Sequence, residues 1–227
     1  MIIRRHTLII KQLLLILFFS SLLSACSDPD ARDERGRTAL ILAAEQGDLG
    51  KVESLLERGA NIHARDLCLF TPLLRAAANG HLTVAERLLL AGADPDDQDE
   101  GLYSAVMHAA GHNHPEMIEL LLKHGARVDL QDQSLSWSAL IWAAREGHLA
   151  AIDSLLRHNA NIQLRDRRGD SALFHAIRAQ HLEVVRQLLD AGAHPTDQNG
   201  DGESALAVAA RQGNPALLEL MARRALP

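Results

Sequence analysis

Six times along this 227-residue chain the same short pattern returns, set on Thr38, Thr71, Ser104, Ser138, Ser171 and Ser204 at intervals of 33, 33, 34, 33 and 33 residues. A fixed period of that length restricts the chain to an array of small units. Each unit is too thin to bury its own apolar face, so it must stack on its neighbours. Two residues after each anchor stands Leu40, Leu73, Val106, Leu140, Leu173 or Leu206, followed by small residues such as Ala43-Ala44, Ala76-Ala77, Ala109-Ala110 and Ala143-Ala144. A stop comes next, at Gly47, Gly80, Asn113, Gly147, Gln180 and Gly213. A second apolar set then runs from Val52/Leu55/Leu56 in the first unit to Val185/Leu188/Leu189 in the fifth, and the first five units close on Gly59, Gly92, Gly125, Asn159 and Gly192.

Each of these choices has a local cause. Ser and Thr cap helix N-termini, and Pro72 suits the first helical position, where a missing N–H costs nothing. Pro115 and Pro215 stand at the start of a second helix for the same reason. Apolar residues at helical spacing give each short helix one buried stripe, and paired alanines let neighbouring helices approach closely. Gly or Asn takes the left-handed conformation that ends a helix. The leading residues Asp33, Asp66, Asp99, Asp132, Asp166 and Asn199 suit turns. Leu and Ala dominate while aromatics make up 3% of the chain, a composition for packed short helices rather than for a β-sandwich.

Helix, stop, longer helix and turn every 33 residues resembles the ankyrin repeat over about residues 33–224. The resemblance implies an all-α repeat solenoid of six ankyrin repeats, occupying residues 33–227. The match departs from the family motif in one respect: only Thr71-Pro72-Leu73 keeps Thr-Pro-Leu, and no repeat has His after that Leu.

The first residues read as targeting. Arg4, Arg5 and Lys11 precede the apolar run Leu13 to Phe19, too short for a confident membrane span. An uncleaved N-terminal anchor helix is one reading. The other rests on Leu23-Ser24-Ala25-Cys26, which resembles the lipobox of bacterial lipoproteins. That resemblance implies a signal peptide over 1–25, acylation of Cys26, and a short lipidated linker over 26–32. Acyl chains at about 0.8 kcal/mol per buried CH₂ anchor stably when several act together. Ser27 rather than Asp after the Cys implies sorting to the outer membrane, facing the periplasm. The linker spans about 20 Å at full extension, which keeps the solenoid near the bilayer.

Cleavage would remove three cationic residues and no acidic one, taking the net charge from −6 to −9. An acidic body argues against nucleic acid as a partner. Only Cys68 remains after lipidation, so no intramolecular disulfide is expected. The chain has no Gly-x-Ser-x-Gly, no Walker loop and no His-Glu-x-x-His. A non-enzymatic role without cofactor is the expectation.

Two motifs have metal-ligand spacing. His108-x-x-x-His112-x-His114 places two imidazoles one helical turn apart, an alternative reading as a metal-binding or metal-responsive envelope protein. Asp197-x-Asn199-x-Asp201-Gly202 opens like a calcium loop, but Val208 stands where the twelfth-position acid belongs. The same residues suit a turn between repeats.

In ankyrin proteins the residues between the leading Asp and the Thr or Ser protrude, beside the exposed face of the first helix. Here these tips carry Leu67, Cys68, Leu69 and Phe70, then Leu102 and Tyr103, then Leu135 and Trp137. Leu69 and Leu135 are expected to pack on neighbouring turns. Phe70, Tyr103 and Trp137 are expected to protrude, the last pushed outward by the extra residue in its repeat. Arg75, His108, Trp142, Arg145 and His175 complete the expected binding surface with Leu67. The predicted function is binding of a periplasmic protein, such as an enzyme being supported or a toxin being neutralised. A passive tethered spacer is the bland alternative.

Overall fold

The computed structural model describes residues 28–225. The proposed signal peptide and Cys26 lie outside the described residues. Among the described residues twelve helices follow one another in pairs: α1 (Ala39–Gln46) and α2 (Leu49–Glu57), α3 (Pro72–Ala78) and α4 (Leu82–Leu90), α5 (Ala105–Gly111) and α6 (Pro115–Lys123), α7 (Ala139–Glu146) and α8 (Leu149–Arg157), α9 (Ala172–Arg178) and α10 (Leu182–Asp190), α11 (Ala205–Arg211) and α12 (Pro215–Ala225). First helices pack on first helices down the stack, and second helices on second helices. No strand forms among the described residues, and no helix there is long and apolar enough to cross a membrane.

The helix boundaries fall where the side chains dictate. Thr38, Thr71, Ser104, Ser138 and Ser204 each accept the N–H three residues on through the side-chain oxygen. Ser171 caps α9 in the same extended conformation without that bond. The stops Gly47, Gly80, Asn113, Gly147, Gln180 and Gly213 all have positive φ, as do the closing residues Gly59, Gly92, Gly125, Asn159 and Gly192. Left-handed backbone frees the chain to reverse and lets its N–H groups close the last helical turn.

The core is a continuous column. Ala43, Ala44, Ala76, Ala77, Ala109, Ala110, Ala143 and Ala144 are fully buried, where their small size sets the close approach of successive first helices. Leu40, Leu73, Val106, Leu140 and Leu173 interleave with them. Histidines at the start of the second helices bind one repeat to the one before. His81 Nε2 donates to Glu45 O at 3.0 Å, His148 to Gly111 O at 3.1 Å and His181 to Arg145 O at 3.0 Å. Each carbonyl lies at the C-terminal end of the preceding repeat's first helix, an orphan acceptor that needs a partner.

Candidate protein-binding surface

The leading residue of each repeat, Asp in the first five and Asn199 in the last, organises the turn that follows it. Asp66 Oδ1 accepts the N–H groups of Cys68 and Phe70, both at 2.9 Å. Asp99 Oδ1 accepts those of Gly101 and Tyr103, both at 3.0 Å. The other oxygen faces the first helix, where a side chain one turn beyond the cap fills it. Arg75 Nη2 donates to Asp66 at 2.6 Å, His108 Nε2 to Asp99 at 2.9 Å, Trp142 Nε1 to Asp132 at 3.2 Å and His175 Nε2 to Asp166 at 2.9 Å. A carboxylate only accepts, so both imidazoles carry their proton on Nε2. Donors of three kinds at one register position thus brace four turns. Arg75, His108, Trp142 and His175 serve the fold first, and present to solvent only what bracing leaves over.

These donors alternate with the ring-bearing residues of the turns in one unbroken row. The Arg75 guanidinium lies 4.0 Å from the centroid of Phe70. Phe70 lies 5.1 Å from His108, His108 5.8 Å from Tyr103, and Tyr103 5.7 Å from Trp142. Trp142 meets Trp137 edge-on at 4.6 Å, and Trp137 meets His175 at 4.7 Å. Arg145 lies beside the row, 5.2 Å over Trp137. The sequence-predicted residues Phe70, Arg75, Tyr103, His108, Trp137, Trp142, Arg145 and His175 are therefore brought together. Leu67 stands apart from the row at a turn tip, 72% exposed.

Two expectations are overturned. Trp137 does not protrude: it is 8% exposed and donates Nε1–H to Asp166 Oδ2 at 3.2 Å. The extra residue is absorbed at the tip instead. Asp132 Oδ1 accepts the Ser134 hydroxyl and the Leu135 N–H, and Ser136 takes the left-handed position, so the ring points inward. Leu69 and Leu135 do not pack away; they are 43% and 44% exposed. Each tip spends its hydrogen bonds on the next tip rather than on side-chain burial. Leu67 N–H donates to Arg35 O, Glu100 to Cys68 O, Gln133 to Gly101 O, Arg167 to Leu135 O and Gly200 to Arg168 O.

The residue two before each cap is left-handed in every repeat. Gly36, Gly169 and Gly202 hold it in the first, fifth and sixth, but Leu69 (φ 62°), Leu102 (φ 61°) and Ser136 (φ 59°) hold it in the middle three. An L side chain there costs about 1–2 kcal/mol relative to Gly. A column that the sequence reading did not single out secures these positions. Arg65 donates to Leu69 O at 3.2 Å and to Gln98 O at 2.7 Å, while Gln98 donates to Leu102 O at 2.6 Å. The signal was present as Arg or Gln immediately before each leading acid.

The proposed histidine ligands do not converge. His108 is committed to Asp99, His112 Nδ1 donates to His108 O at 2.8 Å, and the rings of His112 and His114 stack 6.2 Å apart. Asn199 Oδ1 accepts the N–H groups of Asp201 and Glu203, which makes the calcium-like stretch a turn. Burial pushes His175 below the usual imidazole range against the pull of Asp166. Burial raises Asp166, but hydrogen bonds from the Asp170 N–H, from His175 and from the Arg168 N–H outweigh it and hold the carboxyl below its ordinary value. The pair is a neutral imidazole donating to a carboxylate.

Stacked helix pairs joined by braced, protruding turns define a repeat scaffold of the ankyrin class. A family model described as ankyrin repeats (3 copies) matches residues 3–99, 73–166, 106–199 and 159–225, so the chain belongs to the ankyrin-repeat family. The crystal structure of the human ASB11 ankyrin repeat domain is similar, with a TM-score of 0.76 at 26% identity over 84% of this chain and 85% of that one. No curated protein sequence matches the chain. Ankyrin repeats supply protein–protein interaction modules, and the fold is typically a non-enzymatic binding scaffold.

Proposed function

We propose that this chain is a lipid-anchored scaffold or inhibitor of the bacterial envelope that grips another protein through the turns of its middle repeats. The observation that carries this reading is the placement of Leu69 and Leu102. Both are large apolar side chains, both are left exposed, and both occupy left-handed positions where other repeats of the same chain use Gly. Strain retained at an exposed site calls for a gain elsewhere, and contact with a partner is the gain such residues supply. Leu67 and Leu135 extend the same apolar edge, 72% and 44% exposed. Behind it the aromatic row forms a rigid wall, since each ring is fixed by its neighbours. Rigid aromatic anchors lose little entropy on binding. The leader pattern ending at Cys26 supports tethering to the outer membrane with the repeats in the periplasm, where an enzyme or a toxin would be the partner.

The test pairs stability with capture. Replacing Leu69 and Leu102 together by Gly should raise the unfolding free energy by about 1 kcal/mol per site in urea titrations. The same variant should lose capture of its partner from envelope extract. Unchanged capture would move the contact away from these two residues, and no capture by the parent would reduce the molecule to a passive spacer. Cys26→Ser should move the protein out of the detergent phase; retention there would remove the lipid anchor from the proposal.

A further inference from the structure

Between the fourth and fifth repeats the surface opens into a pocket of about 590 Å³ whose wall differs from the rest of this acidic chain. Arg145, Arg167, Arg168 and Arg178 line it, over a floor that includes Trp137 and Leu135. Asp166, Asp170 and Glu146 also line it, but the first two are buried and already bonded. Asp166 accepts from four donors, and Asp170 is paired with Arg178. The outward charge is therefore cationic. Arg145 is half exposed, bonded to Glu146 at 2.8 Å and poised over the Trp137 ring. The side chain of Arg168 is exposed, and no partner for it is found among the described residues.

We infer that this pocket takes an acidic segment of the partner protein, a carboxylate side chain flanked by an apolar one. This rests on the protein-binding reading above and names the chemistry of its occupant. A carboxylate entering here meets guanidinium forks, which match it geometrically, and an apolar neighbour lands on Leu135 and the edge of Trp137. A divalent cation is the competing occupant, because ligand atoms of Asp166, Asp170 and His175 lie within 4.8 Å of one another, and Asp170 Oδ1 is buried without a partner. Arg167 and Arg168, which have no ion pair among the described residues, oppose a cation on the same wall, and His175 already spends its Nε2 proton on Asp166.

The experiment selects a random peptide library, displayed on phage and about a dozen residues long, on the full chain in detergent micelles. Enriched peptides should carry Asp or Glu beside Leu, Phe or Trp, and should bind less well as salt rises. Arg168→Glu should weaken them about tenfold or more. The backbone bonds of Arg168 to Asp166 and Gly200 do not depend on its side chain, so the variant should melt like the parent. Arg145→Glu provides an independent second charge reversal. Enriched peptides without acidic residues, equal binding to the charge-reversed proteins, or no enrichment at all would overturn the inference. Peptides that ignore both arginines but are lost in the Leu69/Leu102 double Gly variant would overturn it while leaving the protein-binding reading intact. Binding that appears only with added zinc or calcium would assign the pocket to a cation instead.

Discussion

At the scale of single residues, burial decides what an aromatic is for. Trp137 lies between Trp142 and His175 with its indole N–H spent on Asp166, a carboxylate that also braces the next turn. Truncating it opens a cavity and removes a donor from a buried acceptor. Trp137→Ala should destabilise the chain by about 3 kcal/mol or more, read as a lower urea midpoint with unchanged slope. A variant as stable as the parent would mean that the ring is a surface residue after all. Phe70 and Tyr103 are only half-buried, so they keep a face for a partner while Trp137 acts as their support.

At the scale of the element, the turns form a continuous ladder rather than a set of free fingers. Gly169 has φ 75°, and a Cβ placed on it would lie 2.4 Å from the Gly200 nitrogen, in the tip of the next repeat. Gly92 also has positive φ, yet a Cβ there meets nothing within 4 Å. Gly92→Ala should therefore cost about 1 kcal/mol, from backbone conformation alone. Gly169→Ala should cost clearly more, because the bond from Gly200 N–H to Arg168 O must break or shift. Chemical denaturation of the two variants side by side measures the difference. Equal losses would show that tip-to-tip contact adds nothing to stability.

For the whole molecule, stability should depend on pH through histidines held neutral in the stack. Burial lowers the pKa of His175, and burial likewise lowers that of His114. The unfolded chain binds protons near the ordinary imidazole value of 6.5, while the folded chain binds them only at lower pH. Stability is then full above that value and falls as pH drops through it. The depressed Asp166 acts in a separate, more acidic window, below its ordinary 3.8. Melting temperature should decline from about pH 7 to about pH 5, and His175→Gln, which keeps a donor for Asp166, should make the decline shallower. A flat profile would mean that these imidazoles are already solvated.

The repeat count, helix borders and stops were legible in the sequence because each is set locally. A hydroxyl caps the helix that follows it, and Gly or Asn permits the reversal at its own position, as Thr71 and Gly80 illustrate. The alanine column was legible as well, since a 33-residue period can bury small residues only against their own copies. What only the tertiary structure decided is how one repeat uses the next. Trp137 bonds to an acid 29 residues on, and the extra residue before it alters the turn tip rather than the ring's direction. The bracing roles of Arg75, His108, Trp142 and His175 were hidden because three different kinds of side chain fill one position, so no residue pattern marks it. Even the arginine pocket joins residues of two repeats that are unremarkable apart. Contacts between repeats depend on which side chain a neighbour offers, and a period says where neighbours meet but not what they exchange.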